Sequence, residues 1–183
     1  MDISPVFLEA ARVRAAELGV TDQVTLVQGD AALYPRPMRE YDAVSCIGAT
    51  WIGNGLLGTL ALMKPALRPG GLLLVGEPYW IEPPPVDAYV ALAVGRDDYL
   101  SLDGTLDRFE SAHLELVEIV LASNEGWDRY EAPRWRAIHD FLSAHPDDPD
   151  AAALRDWVRS ARRGYLQYGR RYFGWGVFVL REA

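Results

Sequence analysis

The run Leu72-Leu73-Leu74-Val75, set between Arg68-Pro69-Gly70-Gly71 and Gly76-Glu77-Pro78-Tyr79-Trp80, limits the fold more than any other stretch of this chain. Four apolar residues in a row between turn signals make a strand with no polar side, and such strands sit inside parallel sheets that carry helices on both faces. The neighbouring segments alternate in the same sense. Ser4 is placed to cap a helix with Pro5 at its first position, an apolar stripe at Phe7, Ala11, Ala15 and Leu18, and Gly19 just past its end. Val24-Thr25-Leu26-Val27 is a β-branched run closed by Gly29-Asp30, and prolines then punctuate residues 34–37. Residues 41–47 form the next strand, and Leu56, Leu60, Met63 and Leu67 recur at helical spacing before the Arg68-Pro69-Gly70-Gly71 stop.

Beyond Pro83-Pro84-Pro85 the pattern weakens into an acidic stretch through Asp97, Asp98, Asp103 and Asp107. Residues 113–123 resume as a strand. Two helices follow, one carrying Trp135, Ile138, Phe141 and Leu142, the other capped by Asp150 and carrying Leu154, Trp157, Val158 and Ala161. A last strand spans 172–181. The pattern thus predicts helices over 5–18, 55–67, 133–144 and 151–163, and one mixed sheet built from 1–80 and 114–181. Sheets of this kind bind ligands at the carboxyl ends of their strands, which singles out Asp2, Asp30, residues 48–51 and residues 77–80. Asp2, Asp30, Gly48, Glu77, Trp80 and Trp127 are expected to gather along one rim as an acidic, aromatic cleft.

At 183 residues and 50% hydrophobic content the chain suffices for a single domain with a real core. A formal net charge of -8 argues against a nucleic-acid partner, since that affinity comes mainly from Lys and Arg on phosphates. No apolar run is long enough for a bilayer span and no basic segment leads into an apolar one, so the expectation is a cytoplasmic protein without membrane attachment. Cys46 is the single cysteine and His113, His139 and His145 lie far apart or six residues apart, so no metal site is expected.

An acidic residue before a helix, Gly29-Asp30-Ala31 after the next strand, Tyr41-Asp42-Ala43-Val44 in the following one, and the Leu67-Arg68-Pro69-Gly70-Gly71 turn into residues 72–75 together resemble the class I S-adenosylmethionine-dependent methyltransferases. The likeness covers residues 1–80. Gly48-Ala49-Thr50-Trp51-Ile52, residues 76–80, residues 126–131 and Gly174-Trp175-Gly176-Val177-Phe178 look like one uncharacterised bacterial branch of that superfamily acting on small molecules. The resemblance implies an α/β Rossmann-like methyltransferase sheet in the order 3-2-1-4-5-7-6 with the last strand antiparallel, and a helical insertion or lid at 124–171. It implies S-adenosylmethionine as methyl donor and in-line transfer to a small-molecule acceptor.

Residue by residue, the resemblance gives Asp2 the ribose hydroxyls and Asp30 and Ala31 the adenine. Cys46, otherwise a small core residue, and Gly48 end the strand that faces the cofactor. Thr50 and Trp51 would border the acceptor, with Trp51 offering an aromatic face to a cation. Glu77 and Tyr79 are the acid/base candidates, because a carboxylate in apolar surroundings has a raised pKa. Trp80, Trp127 and Tyr130 complete the acceptor side, joined by Asp128 and Glu131. Tyr168, Arg170 and Arg171 are read either as carboxylate-binding or as surface ion pairs.

One departure from the family stands out. The glycine-rich loop belongs about 20 residues before the ribose-binding acid, and nothing of it precedes Asp2. The expectation is an N-terminally truncated methyltransferase domain lacking strand 1 and about 25 residues in all. The alternative is a pseudo-methyltransferase or folded fragment that pairs its open edges with another chain, a homodimer included. A nucleotide-dependent oxidoreductase is disfavoured by residues 48–51 and 76–80.

Overall fold

The computed structural model describes residues 1–34 and 38–183. Most of the proline-punctuated stretch at 34–37 lies outside the described residues. Four strands form one sheet: β1 (Tyr41–Ile47), β2 (Leu67–Trp80), β3 (Leu114–Leu121) and β4 (Phe173–Glu182), in the order β1-β2-β4-β3. β1 and β2 are parallel, while β4 runs antiparallel to both β2 and β3. This is the order and sense expected of the last four strands in the sequence analysis. The Arg68-Pro69-Gly70-Gly71 turn is taken into β2 as an irregularity, where the register jumps from Tyr41 opposite Leu67 to Ala43 opposite Leu72.

Alternation along β2 and β4 decides what each face carries. Leu73 and Val75 pair with Leu180 and Phe178, and all four are at most 1% exposed. On this side lie α2 (Leu56–Met63) and α4 (Leu102–Ser111), which add Leu56, Leu60, Met63 and Phe109 to a single core. The α2 stripe is the one read from the sequence. Helix α4, and α3 (Val86–Leu92) before it, fall in the stretch that the sequence pattern left unassigned. The core side of α4 is only Leu102, Thr105 and Phe109, interleaved with Asp103, Asp107 and Glu110, so its apolar repeat is too thin to register.

On the opposite face the helix Asn124–Ala144 brings Trp127 against Phe173 and Trp175, and α3 brings Tyr89 against Trp80, so helices lie on both sides as expected. Ile47, Leu72 and Val120 on that face stay 52%, 37% and 58% exposed, so the cover among the described residues is partial.

Residues 24–27 and Asp2 were expected inside the sheet and are not. They meet each other through an isolated bridge, Asp2 with Gln28, supported by Asp2 N–H to the Val27 carbonyl and Gly29 N–H to the Asp2 carbonyl. Among the described residues no strand lies between this pair and β1, so the ladder that would carry them into the sheet is missing. α1 (Pro5–Glu17) has the predicted Ser4 cap and Pro5 start, but buries Leu8 and Ala15 while Phe7 and Leu18 are exposed.

Between β3 and β4 the chain forms α5 (Asn124–Ala144) and α6 (Ala151–Gly164), followed by a π-helical turn, Tyr165–Gly169. α5 begins nine residues before the predicted start, capped by Ser123 accepting from the Gly126 N–H, and runs through Pro133. Asp150 makes no side-chain cap on α6. Asp128 on α5 ties this unit together: it accepts from the Tyr165 hydroxyl at 2.8 Å and from Arg170 at 2.9 and 3.0 Å.

Candidate active site

Three places near the carboxyl ends of the strands carry the residues singled out by sequence, and the structure separates them. The first is a cleft of about 660 Å³ between Met1, Asp2, Val27, Ala31 and Tyr34 on one wall and residues 43–47 of β1 on the other. Asp2, Ala31 and Cys46 therefore share one cavity. The Asp2 Oδ1 accepts the Ser4 N–H at 2.7 Å, which fixes the carboxylate at the start of α1. Asp30 is exposed and turns its Oδ1 back on the Ala32 N–H at 2.8 Å, an Asx-type turn, rather than toward the cleft lining. Cys46 is partly buried and desolvation pushes its thiol pKa up, so it behaves as a small apolar lining group.

The second place lies beneath the core face of the sheet. Glu77 continues the Leu73, Val75 parity of β2, which puts its side chain among buried groups at 2% exposure. The Thr50 hydroxyl donates to Glu77 Oε2 at 2.6 Å, and the Thr59 hydroxyl donates to the Thr50 carbonyl at 2.5 Å while accepting the Gly53 N–H at 3.0 Å. Burial raises the Glu77 pKa to about 7, against the opposing influence of the Thr50 hydrogen bond and the positive charge of Arg108. The carboxyl anchors the turn that follows β1. Tyr79, on the same face, is 6% exposed and lies over Gly174, where an added Cβ would meet the phenol ring at 2.3 Å. Burial raises its pKa as well.

The third place is a pocket of about 430 Å³ on the other face, lined by Ile47, Gly48, Ala122, Gly126, Trp127, Tyr130 and Trp175. The benzo edge of Trp175 lies close to two glycines: a Cβ at Gly76 would lie 2.7 Å from its ring, and one at Gly48 would lie 3.2 Å from it. Gly48 also has φ +74°, a left-handed value that a side chain would strain. Trp127 stands edge-on to both Trp175 and Tyr130, with ring centroids 6.4 and 5.8 Å away.

Glu77 and Trp127 thus face opposite sides of the sheet. The expected single cleft containing both does not form, because Gly76 and Glu77 are neighbours on a strand and point opposite ways. Trp51 is 74% exposed and lines neither the Asp2 cleft nor the Gly48 pocket, while Trp80 is 5% exposed and packed against Tyr89 and Phe173. Trp175, absent from the sequence-based site, is the residue that reasoning missed. Its signal was present: an aromatic flanked by Gly174 and Gly176 in a strand has lost its neighbours' side chains to make room for something. Arg170 and Arg171 form surface ion pairs with Asp128 and Glu82, the second of the two readings. Among the described residues no group of three His, Cys, Asp or Glu could hold a metal ion, and no helix is long and apolar enough to cross a membrane.

Residues 1–71 match the family described as "Methyltransferase domain". The chain is 42% identical over 183 residues to the uncharacterized protein YjhP of Escherichia coli (strain K12), covering 98% of this chain and 73% of that one. It superposes with TM-score 0.92 on a SAM-dependent methyltransferase from Geobacter sulfurreducens solved with S-adenosyl-L-homocysteine, at 42% identity, covering 98% of this chain and 73% of that one. A SAM-dependent methyltransferase from Thiobacillus denitrificans, also solved with S-adenosyl-L-homocysteine, superposes equally well at 0.92, with 38% identity over 99% of this chain and 73% of that one. By fold, by motif and by these relatives, the chain belongs to the S-adenosylmethionine-dependent methyltransferase family.

Proposed function

We propose that the protein transfers the methyl group of S-adenosylmethionine to a small-molecule acceptor. The observation that carries this reading is the likeness to two methyltransferases solved with S-adenosyl-L-homocysteine, joined to a cleft that gathers Asp2, Ala31 and Cys46 and a pocket lined by Gly48 and three aromatic rings. S-adenosylmethionine supplies an electrophilic methyl carbon on a sulfonium. Asp2 receives the ribose hydroxyls and Ala31 borders the adenine, with Asp30 reaching its amine from the rim. Cys46 and Gly48 keep the strand end low. The residues present suit such a ligand, since a fixed carboxylate at a strand end and a small apolar floor are what a nucleoside needs.

On the acceptor side Trp127, Tyr130 and Trp175 enclose the reacting group and exclude water, and the helical segment 124–171 acts as its cover. Glu77 acts through Thr50: it fixes the 48–51 turn and with it the position of Gly48. Alignment and desolvation are the catalytic contribution asked of these residues. Calorimetry with S-adenosylhomocysteine tests the reading. Saturable binding that Asp2→Asn weakens supports it; the absence of binding by the folded chain refutes it for this chain.

A second reading rests on the edge of β1. Along residues 41–47 its outer edge meets no strand among the described residues, and an unpaired edge beside a cleft invites a strand from another chain. On that reading the protein is a folded, non-catalytic pairing module. Sedimentation analysis showing a monomer at micromolar concentration would remove the homodimeric form of it.

A further inference from the structure

The pocket at Gly48 has two properties that together narrow the acceptor. Its lining side chains carry no charge, and three aromatic rings surround it in different orientations: Trp127 lies at 79° to Trp175 and at 72° to Tyr130. Such walls attract a positive charge through their π faces, and the lining holds no cationic side chain to pair with an anion. The pocket also holds no proton acceptor suited to neutral pH. Glu77 lies through the sheet, bonded to Thr50, and the lining holds no carboxylate, imidazole or amine, its one ionisable side chain being the phenol of Tyr130.

An acceptor that must lose a proton as it is methylated has no partner here. A tertiary amine loses none.

Building on the proposed methyl transfer, we propose that the acceptor is a small tertiary amine and the product its quaternary ammonium ion. The amine enters as the free base, its proton left to bulk solvent. Its nitrogen lone pair forms the new bond to the methyl carbon, the carbon–sulfur bond breaks, and that electron pair stays on sulfur as a neutral thioether. Positive charge therefore moves from sulfur to nitrogen with no proton transferred. Trp127 and Trp175 face the nitrogen that acquires the charge, while the Tyr130 ring already carries the Arg134 guanidinium 5.7 Å from its centroid and serves as an apolar wall. The attraction of the two indoles is therefore stronger in the transition state than for the neutral amine. That difference is what accelerates the step. Trp175 is the best-placed wall, since Gly48 and Gly76 let its indole lie against the strand ends from which the methyl donor is approached.

The test uses the whole chain and a matched pair of probes, choline and its uncharged isostere 3,3-dimethylbutan-1-ol, titrated by tryptophan fluorescence and calorimetry. Choline is expected to bind at least about tenfold tighter than the alcohol. Trp127→Leu and Trp175→Leu should each erase that preference, while Trp127→Phe, which keeps a ring face, should retain most of it. Circular dichroism confirms that each variant is folded. Equal affinity for the two probes, or no choline binding by the folded protein, overturns the proposal. S-adenosylhomocysteine binding is measured separately on the same samples: choline preference without it removes the methyl-transfer reading and leaves the cation pocket, whereas nucleoside binding without choline preference does the reverse.

Discussion

Replacing Glu77 by Gln should make the protein more stable above neutral pH and leave it unchanged in acid. The carboxyl is 2% exposed and its pKa stands at about 7 against an ordinary 4.5. The native state therefore holds the Glu77 proton more tightly than the unfolded chain. Between pH 4.5 and 7 the unfolded state binds fewer protons, and stability falls as pH rises through that window. Each tenfold difference in proton affinity is worth about 1.4 kcal/mol, so the full penalty above pH 7 is about 3 kcal/mol. Gln is nearly isosteric, is never ionised, and its carbonyl oxygen can accept the Thr50 hydroxyl as Glu77 Oε2 does.

Urea unfolding followed by tryptophan fluorescence, run on both proteins from pH 4.5 to 8.5, isolates the effect, since ionisable groups far from Glu77 cancel in the difference. The variant should match the wild type at the acid end and exceed it by about 3 kcal/mol at pH 8. In thermal scans that is roughly 6–12 °C for a chain of this length. Parallel stability profiles, or a variant weaker at pH 8, would show that the Glu77 carboxylate is solvated or paired with a cation, and the desolvation argument would fail.

Gly174→Ala should destabilise the fold by about 1–3 kcal/mol, because the new methyl would meet the Tyr79 ring at 2.3 Å in a packed site; combining it with Tyr79→Leu should recover part of the loss in the same urea assay. Asp128→Ala should release the π-helical turn from α5, read as faster limited proteolysis within 124–171. The Asp128 carboxyl is held below its ordinary pKa by the Arg170 guanidinium and then by the Tyr165 hydroxyl, so its contribution is present above that ordinary value and fades as pH falls through the lowered one. A proteolysis rate in wild type that rises on acidification, and does not in Asp128→Ala, is the expected signature.

Local periodicity was enough to place the strands at 41–47 and around 72–75, the α2 stripe of Leu56, Leu60 and Met63, and the Ser4-capped start of α1, because each is decided by contacts within a turn or two of chain. The motifs carried the family. Helices α3 and α4 were not legible, since Asp103, Asp107 and Glu110 dilute an apolar stripe that only the core confirms. Glu77 was half legible: its parity with Leu73 and Val75 already puts it on the core face, yet its distance from Trp127 depends on which strand lies beside β2. That strand, β4, comes about a hundred residues later and brings Trp175 over Gly76 and Gly48. Trp51 and Trp80, alike as aromatic residues after a strand, end at 74% and 5% exposure. Sequence spacing fixes which way a side chain leaves its own strand or helix; the tertiary structure alone decides what stands opposite it, because strand pairing joins residues whose separation along the chain carries no periodic signal.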